Sequence, residues 1–181
     1  MFLLQLGHIK VNQIPPQEFD TVKSVFLRLF IEKDESFYIF WNDIPLRFRY
    51  REDLYQDFDD IMAFIWLIHK KEKGETTATF VNQLIEAQVN AYWNEDELKM
   101  EGHFSAHETL YQQFAQDLNE NNTMTVSKQA FLSEWKTLFH QLCLCFDAGK
   151  ITIKDGKERR KIELFRTVEN ELKGYGQLYT K

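Results

Sequence analysis

Hydrophobic residues recur along this chain with two periods, and the switches between them mark out its elements. Phe2 to Ile14 reads as a strand that breaks at Pro15-Pro16. From Glu18 onward, Phe19, Val22, Phe26, Leu29 and Phe30 keep the spacing of one helix face, with Glu18 and Asp20 where the positive end of the helix dipole favours acids. The runs Phe37 to Trp41 and Ile44 to Arg49 flank Asn42-Asp43, a two-residue turn signal, and predict a hairpin. On its second arm Ile44, Leu46 and Phe48 alternate with Pro45, Arg47 and Arg49, so one face is buried. Pro45 has no N–H to give a neighbouring strand, which puts this arm at a sheet edge.

Asp53 with Gln56 has the form of a capping box, and Leu54, Phe58, Ile61, Ile65 and Ile68 then predict a second helix. Its later half, Ile61 to Ile68, is apolar on every side, as in a helix central to the fold or covered by a partner. Thr76 to Leu84 fits strand and helix equally. Val89, Ala91 and Trp93, then Leu98, Met100 and Phe104, alternate with polar residues on either side of Asn94-Glu95-Asp96-Glu97. This is a second hairpin, whose polar face carries Asn90, Tyr92, Lys99, Glu101 and His103 and meets solvent or a partner. Ser105 with Glu108 is another capping-box pattern, opening a third helix through Leu110, Phe114 and Leu118. Asn119 to Thr125 reads as loop, and the stripe from Phe131 to Phe146 predicts the longest helix, ended by Gly149. Ile151, Ile153, Asp155-Gly156, Arg160, Ile162 and Leu164 predict a third hairpin, followed by a short C-terminal helix. The sum is an α+β fold: one domain over residues 1–181, with antiparallel hairpins forming a sheet packed against amphipathic helices.

Composition narrows the function classes. The 181 residues carry 28 Asp and Glu against 22 Lys and Arg, a formal charge of -6 that repels phosphate backbones and steers toward basic partners. Nucleic acid is therefore not the expected ligand. The apolar stretch near the N-terminus, Phe2 to Leu6, has no preceding positive charge, and no run approaches the roughly 20 residues of a membrane helix, so the expected location is the cytoplasm. Cys143 and Cys145 lie i, i+2 on a predicted helix, pointing to nearly opposite sides, and read as free buried thiols rather than joint metal ligands.

Catalytic signatures are not found in the sequence. It has no glycine-rich phosphate loop, no nucleophile elbow and no second histidine completing the zinc-protease pattern after His107-Glu108. His103, His107 and Glu101 could form a metal or catalytic site, but a helix capped at Ser105 leaves His103 outside it. His8, His69 and His140 each read as an ordinary, partly buried ring. No cofactor or metal is expected, and catalysis is the lesser reading. The Lys154, Lys157, Arg159, Arg160 and Lys161 group reads as the solvated edge of the third hairpin. Two acidic groups remain. Asp53 is taken up by the helix cap, while Asp57, Asp59 and Asp60 beside it exceed what the dipole requires. Glu95, Asp96, Glu97 and Glu101 surround the second hairpin turn, next to Tyr92 and Trp93. A solvated face explains either group; the sharper reading is recognition of a basic protein, with carboxylates steering it and aromatic rings anchoring it.

The order of parts supports that second reading. The segment Tyr38-Ile39-Phe40-Trp41-Asn42-Asp43-Ile44-Pro45, the helix from Leu54 to Lys70, the Tyr92-Trp93 hairpin and the long helix from Ser127 together resemble the small acidic immunity proteins of bacterial polymorphic toxin and contact-dependent growth inhibition systems. The likeness covers roughly two thirds of the chain and lies in layout and acidic, aromatic character rather than in shared functional residues. It implies an antitoxin that binds a cognate, basic nuclease toxin domain and blocks its active site, without being an enzyme itself. The alternatives are an enzyme using residues 101–108, or a regulatory or structural subunit that forms a homodimer through the all-round apolar helix.

Overall fold

The computed structural model describes residues 2–7, 9, 17–30 and 35–175. Three of the expectations above, Pro15-Pro16, His8 and the far end of the first strand, lie outside these residues. The elements run β1 (Phe2–Leu6), β2 (Glu18–Phe19), α1 (Val22–Leu29), β3 (Ser36–Trp41), β4 (Ile44–Arg49), a π-helical turn (Tyr50–Leu54) and α2 (Phe58–Lys70). There follow β5 (Gly74–Val81), β6 (Ile85–Trp93), β7 (Glu97–Ala106), a 3-10 turn (Thr109–Tyr111), α3 (Gln112–Glu120), β8 (Thr123–Ser127), α4 (Lys128–Ala148), β9 (Thr152–Ile153) and α5 (Gly156–Leu172).

The fold is α+β. An antiparallel sheet of order β1-β3-β4 faces a second antiparallel sheet of order β5-β6-β7-β8, and β2 with β9 forms a small parallel pair. The sheets meet through aromatic rings: Trp41 stands edge-on to Phe104 at 5.3 Å and Phe48 to Phe80 at 6.5 Å. From α2 and α4, Phe64, Phe131 and Trp135 complete this layer, leaving a cavity of about 20 Å³. An apolar space that holds scarcely more than one water-sized sphere stays dry and admits no ligand. On the other side of α4, Phe139 and Phe146 pack on Phe165 of α5. Among the described residues, no helix is long and apolar enough to cross a membrane.

The first hairpin forms as the alternation predicts, with Asn42 and Asp43 both at positive φ, as the twist-matched two-residue turn requires. Its β4 arm is the sheet edge that Pro45 called for. The turn docks on the second sheet: Asn42 Nδ2 donates to the carbonyls of Asn121 and Thr123, and Trp41 Nε1 donates to that of Asn121. Helix α2 is central, with Phe58, Ile61, Met62, Phe64, Ile65 and Ile68 buried and Trp66 and Leu67 partly so.

Several boundaries differ from the sequence reading, each for a local reason. The first helix starts at Val22, because Thr21 and Ser24 close a capping box there, while Glu18 and Phe19 pair with Thr152 and Ile153. Asp53 does not cap α2; it turns back to accept the backbone N–H of Arg49 at 2.8 Å and its guanidinium at 3.0 and 3.3 Å. Of Thr76 to Leu84, left open above, Thr76 to Val81 belong to strand β5 and residues 82–84 to the turn that follows. Ser105 lies in β7 rather than at a helix start, since β6 holds it in register opposite Glu86, and the following turn opens at Thr109. Thr123 to Thr125, the end of the expected Asn119–Thr125 loop, instead open the edge strand β8.

The third hairpin does not form. Asp155 instead accepts the N–H groups of Lys157 and Glu158, both at 2.9 Å, and caps a seventeen-residue α5. Asp-Gly is a turn signal and a helix-start signal alike, and the apolar positions Ile162, Phe165, Val168 and Leu172 decide for the helix. The basic group from Lys154 to Lys161 thus flanks a helix start, where Lys161 bonds both Asp59 at 2.7 Å and Glu158 at 3.1 Å.

Candidate partner-binding surface

The β5–β8 sheet buries one face, and among the described residues the other has no covering layer. Period two sends Ala78, Phe80, Val89, Ala91, Trp93, Leu98, Met100 and Phe104 into the core. The same alternation places their polar neighbours outside. The register then sets these neighbours in rows across the strands: Glu75, Tyr92, Lys99 and Thr125 in one, Thr77, Asn90, Glu101 and Thr123 in the next. Tyr92 is 43% exposed, a large ring standing on a flat polar sheet. Thr77 Oγ1 donates to Asn90 Oδ1 at 2.8 Å, which fixes the side chains beside it.

The acidic turn joins this face. Asn94 Oδ1 accepts the N–H groups of Asp96 and Glu97 at 2.9 and 2.8 Å, a local closure that leaves the carboxylates of Glu95, Asp96 and Glu97 pointing to solvent. An open cleft of about 610 Å³ lies between this turn and Glu72 and Lys73 of the α2–β5 connection. A second, of about 340 Å³, is lined by Glu75, Thr76, Thr77, Asn90 and Tyr92. Gly74 and Trp93 are register partners that separate the two linings along β5 and β6. Tyr92 thus shares its cleft with Glu75 and has Lys99 as its β7 register partner, while Glu72, Glu95, Asp96 and Glu97, with Lys73 among them, line the neighbouring cleft at the end of the sheet.

Part of this acid serves the fold. Lys128 is buried and donates Nζ to the Lys71 carbonyl at 2.7 Å. Burial pushes its pKa down, and Glu72 and Glu95 pull it back up. The same carbonyl accepts Trp93 Nε1 at 2.9 Å, so the rim of the cleft is tied to the core at one point.

The sequence-derived candidates separate into those on this surface and those elsewhere. Tyr92, Glu95, Asp96, Glu97 and half-buried Glu101 belong to it. Trp93 does not: at 6% exposure it points inward and packs over Gly74, where even a methyl group would meet its ring at 2.7 Å. The acids of α2 are not a patch. Asp57 is 5% exposed and accepts the Val81 N–H through Oδ2 at 2.5 Å. Burial first, then the neighbouring Asp60, Asp53 and Glu86, push its pKa from 3.8 up to about 7 against the pull of that hydrogen bond. Asp59 is exposed but paired with Lys161, and Asp60 is exposed.

Among the described residues, the histidines do not converge. His103 stands on the exposed sheet face opposite Gln88, whereas His107 Nε2 lies 3.0 Å from the Asn82 carbonyl. His69 bridges Tyr175 and Glu171, and His140 meets Glu169. Cys143 and Cys145 are free and buried, and burial pushes their thiols up to about 12 and about 11. Among the described residues, no group of three or more His, Cys, Asp or Glu is placed to hold a metal ion.

Glu72 and Glu75 are the surface residues that sequence reasoning missed. They precede a segment whose period was ambiguous; the pairing of β5 with β6 sets Glu75 opposite Tyr92, and Glu72 joins the hairpin turn in lining the neighbouring cleft. No family model, curated protein or solved structure matches the chain.

Proposed function

We propose that this protein is an immunity-type inhibitor, which binds a basic protein domain through exposed Tyr92 and the acidic cleft next to it on the outer polar face of its second sheet. That juxtaposition is the observation that carries the reading. Five carboxylates against two ammonium groups attract a cationic surface over a Debye length and orient it before contact. A tyrosine on a rigid sheet then supplies a large buried contact at low cost in side-chain entropy, the usual composition of an interface hot spot. A nuclease active site, which must be cationic to hold nucleic acid, is a surface of this kind. Occupying it blocks the substrate without any chemistry by the inhibitor, so the protein acts as a binder and not as an enzyme, in the cytoplasm where the toxin would act.

The enzyme reading, built on Glu101, His103 and His107, gains nothing from the geometry, because His107 is engaged with Asn82. The experiment is co-expression with a basic toxin domain encoded beside this chain. Protection of growth and co-purification of a one-to-one complex are expected. Both are lost when Glu95→Lys and Glu97→Lys are combined with Tyr92→Ala, and protection that survives these changes refutes the proposed surface.

A further inference from the structure

Strand β5 has an open edge whose free groups form a symmetric set. The Asn82 N–H donates to the Ile85 carbonyl at 3.0 Å, which fixes the phase of the β5–β6 ladder. Counting back by twos, Phe80, Ala78, Thr76 and Gly74 turn their peptide groups toward β6, and Val81, Thr79, Thr77 and Glu75 turn theirs away. Val81 confirms the phase, since its N–H is taken by Asp57 from outside the sheet. Among the described residues, nothing caps the N–H groups of Glu75, Thr77 and Thr79. The free run therefore extends from Glu75 to Thr79 and is centred on Thr77. Natural edge strands are protected by charged side chains, above all lysine, by proline or by a bulge; Gly74–Val81 carries the single charge of Glu75, no lysine or proline, and pairs with β6 without interruption.

We propose that β5 pairs antiparallel with β5 of a second copy of this chain, about a two-fold axis at Thr77, to give one continuous eight-stranded sheet. In that register Glu75 lies opposite the partner's Thr79 and Thr77 opposite the partner's Thr77, so no like charges face each other and roughly six backbone hydrogen bonds form. Charge complementarity chooses a second copy as the occupant. The same register sets Lys73, exposed and without an ion pair among the described residues, opposite the partner's Val81. Beside Val81 stand Asp57, which bonds it, Glu86, which is its β6 partner, and Asp60, whose charge Asp57 feels. The two-fold axis makes this contact twice. It also puts both copies of Tyr92 on one face, roughly 20 Å apart from strand spacing and rise. The dimer does not depend on what the acidic face binds.

Sedimentation equilibrium of the full chain tests this. The expected mass is twice the 21.7 kDa of one chain. Thr77→Pro removes an N–H that points away from β6, so it should return the single-chain mass with an unchanged circular dichroism spectrum. Lys73→Glu should raise the dissociation constant about tenfold. A single-chain mass for the unmodified protein at every concentration overturns the proposal, as does a folded Thr77→Pro variant that remains dimeric. Should Thr77→Pro fail to fold, Thr77→Cys treated with a short bismaleimide replaces it, the two native thiols being buried. A covalent dimer then supports the pairing, and an uncrosslinked chain refutes it.

Discussion

Asp57 Oδ2 accepts the backbone N–H of Val81 at 2.5 Å, so a carboxylate at the start of α2 closes one end of the β5 edge. The same bond explains why α2 begins without a side-chain cap, its N-cap oxygen being used across the fold. It also explains why an acid that looks available in the sequence is not on the surface.

The pH dependence of stability should report this buried carboxyl. Its folded pKa, about 7, lies above the ordinary 3.8, so the folded state holds its proton more tightly than the unfolded state. The associated stability is fully present below about pH 4 and is lost as pH rises through about 7. Asp57→Asn keeps the acceptor and removes the titration. Urea denaturation should therefore show the variant gaining on the unmodified protein by on the order of 1 kcal/mol between pH 5 and pH 8. A constant difference across that range contradicts the assignment.

Tyr92 and Trp93 are adjacent in sequence and face opposite ways. Trp93→Ala should cost about 3–5 kcal/mol in denaturant unfolding, since it empties a core site and abandons the bond to Lys71. Tyr92→Ala should stay within about 0.5 kcal/mol. Equal effects would show that the strand phase is wrong.

Asn119 acts as a peptide group at the end of β8. Its amide accepts the Phe104 N–H at 3.0 Å and donates to the Phe104 carbonyl at 2.7 Å, continuing the ladder where the chain has turned into α3. Asn119→Ala leaves both groups of a part-buried strand unpaired and should cost about 1–3 kcal/mol. Asn119→Asp keeps only the acceptor and should also lower the melting temperature, which a thermal scan reads.

Much of the fold was legible because local pattern and global packing agree. The Phe37–Arg49 hairpin, the central helix after Phe58, the Tyr92–Trp93 hairpin and the long helix closed by Gly149 all follow from period and turn chemistry. The misreadings share one cause: a short polar motif has several uses, and long-range contacts choose among them. Asp53-x-x-Gln56 and Ser105-x-x-Glu108 fit capping boxes, but Arg49 claims the first aspartate and β6 claims the serine. Asp155-Gly156 fits a hairpin until the stripe through Leu172 makes it a helix start. On the proposed binding surface, Tyr92 and Glu95 to Glu97 were readable because a hairpin turn exposes its own tip. Glu75 was not, since strand pairing brings it there, nor was Glu72, which the fold of the α2–β5 connection sets beside the turn, and Asp57 misled because burial of a carboxylate leaves no mark in the residues around it.

The affinity of the chain for a cationic nuclease toxin domain, measured calorimetrically at low and moderate salt, bears on the proposed function itself. A one-to-one complex should form, weaken as salt rises, and lose about a hundredfold in affinity with Glu95→Lys and Glu97→Lys, while Asp59→Lys, on a different face, changes it little. Affinity that ignores both salt and the charge reversals at the Tyr92 rim would contradict the proposed surface.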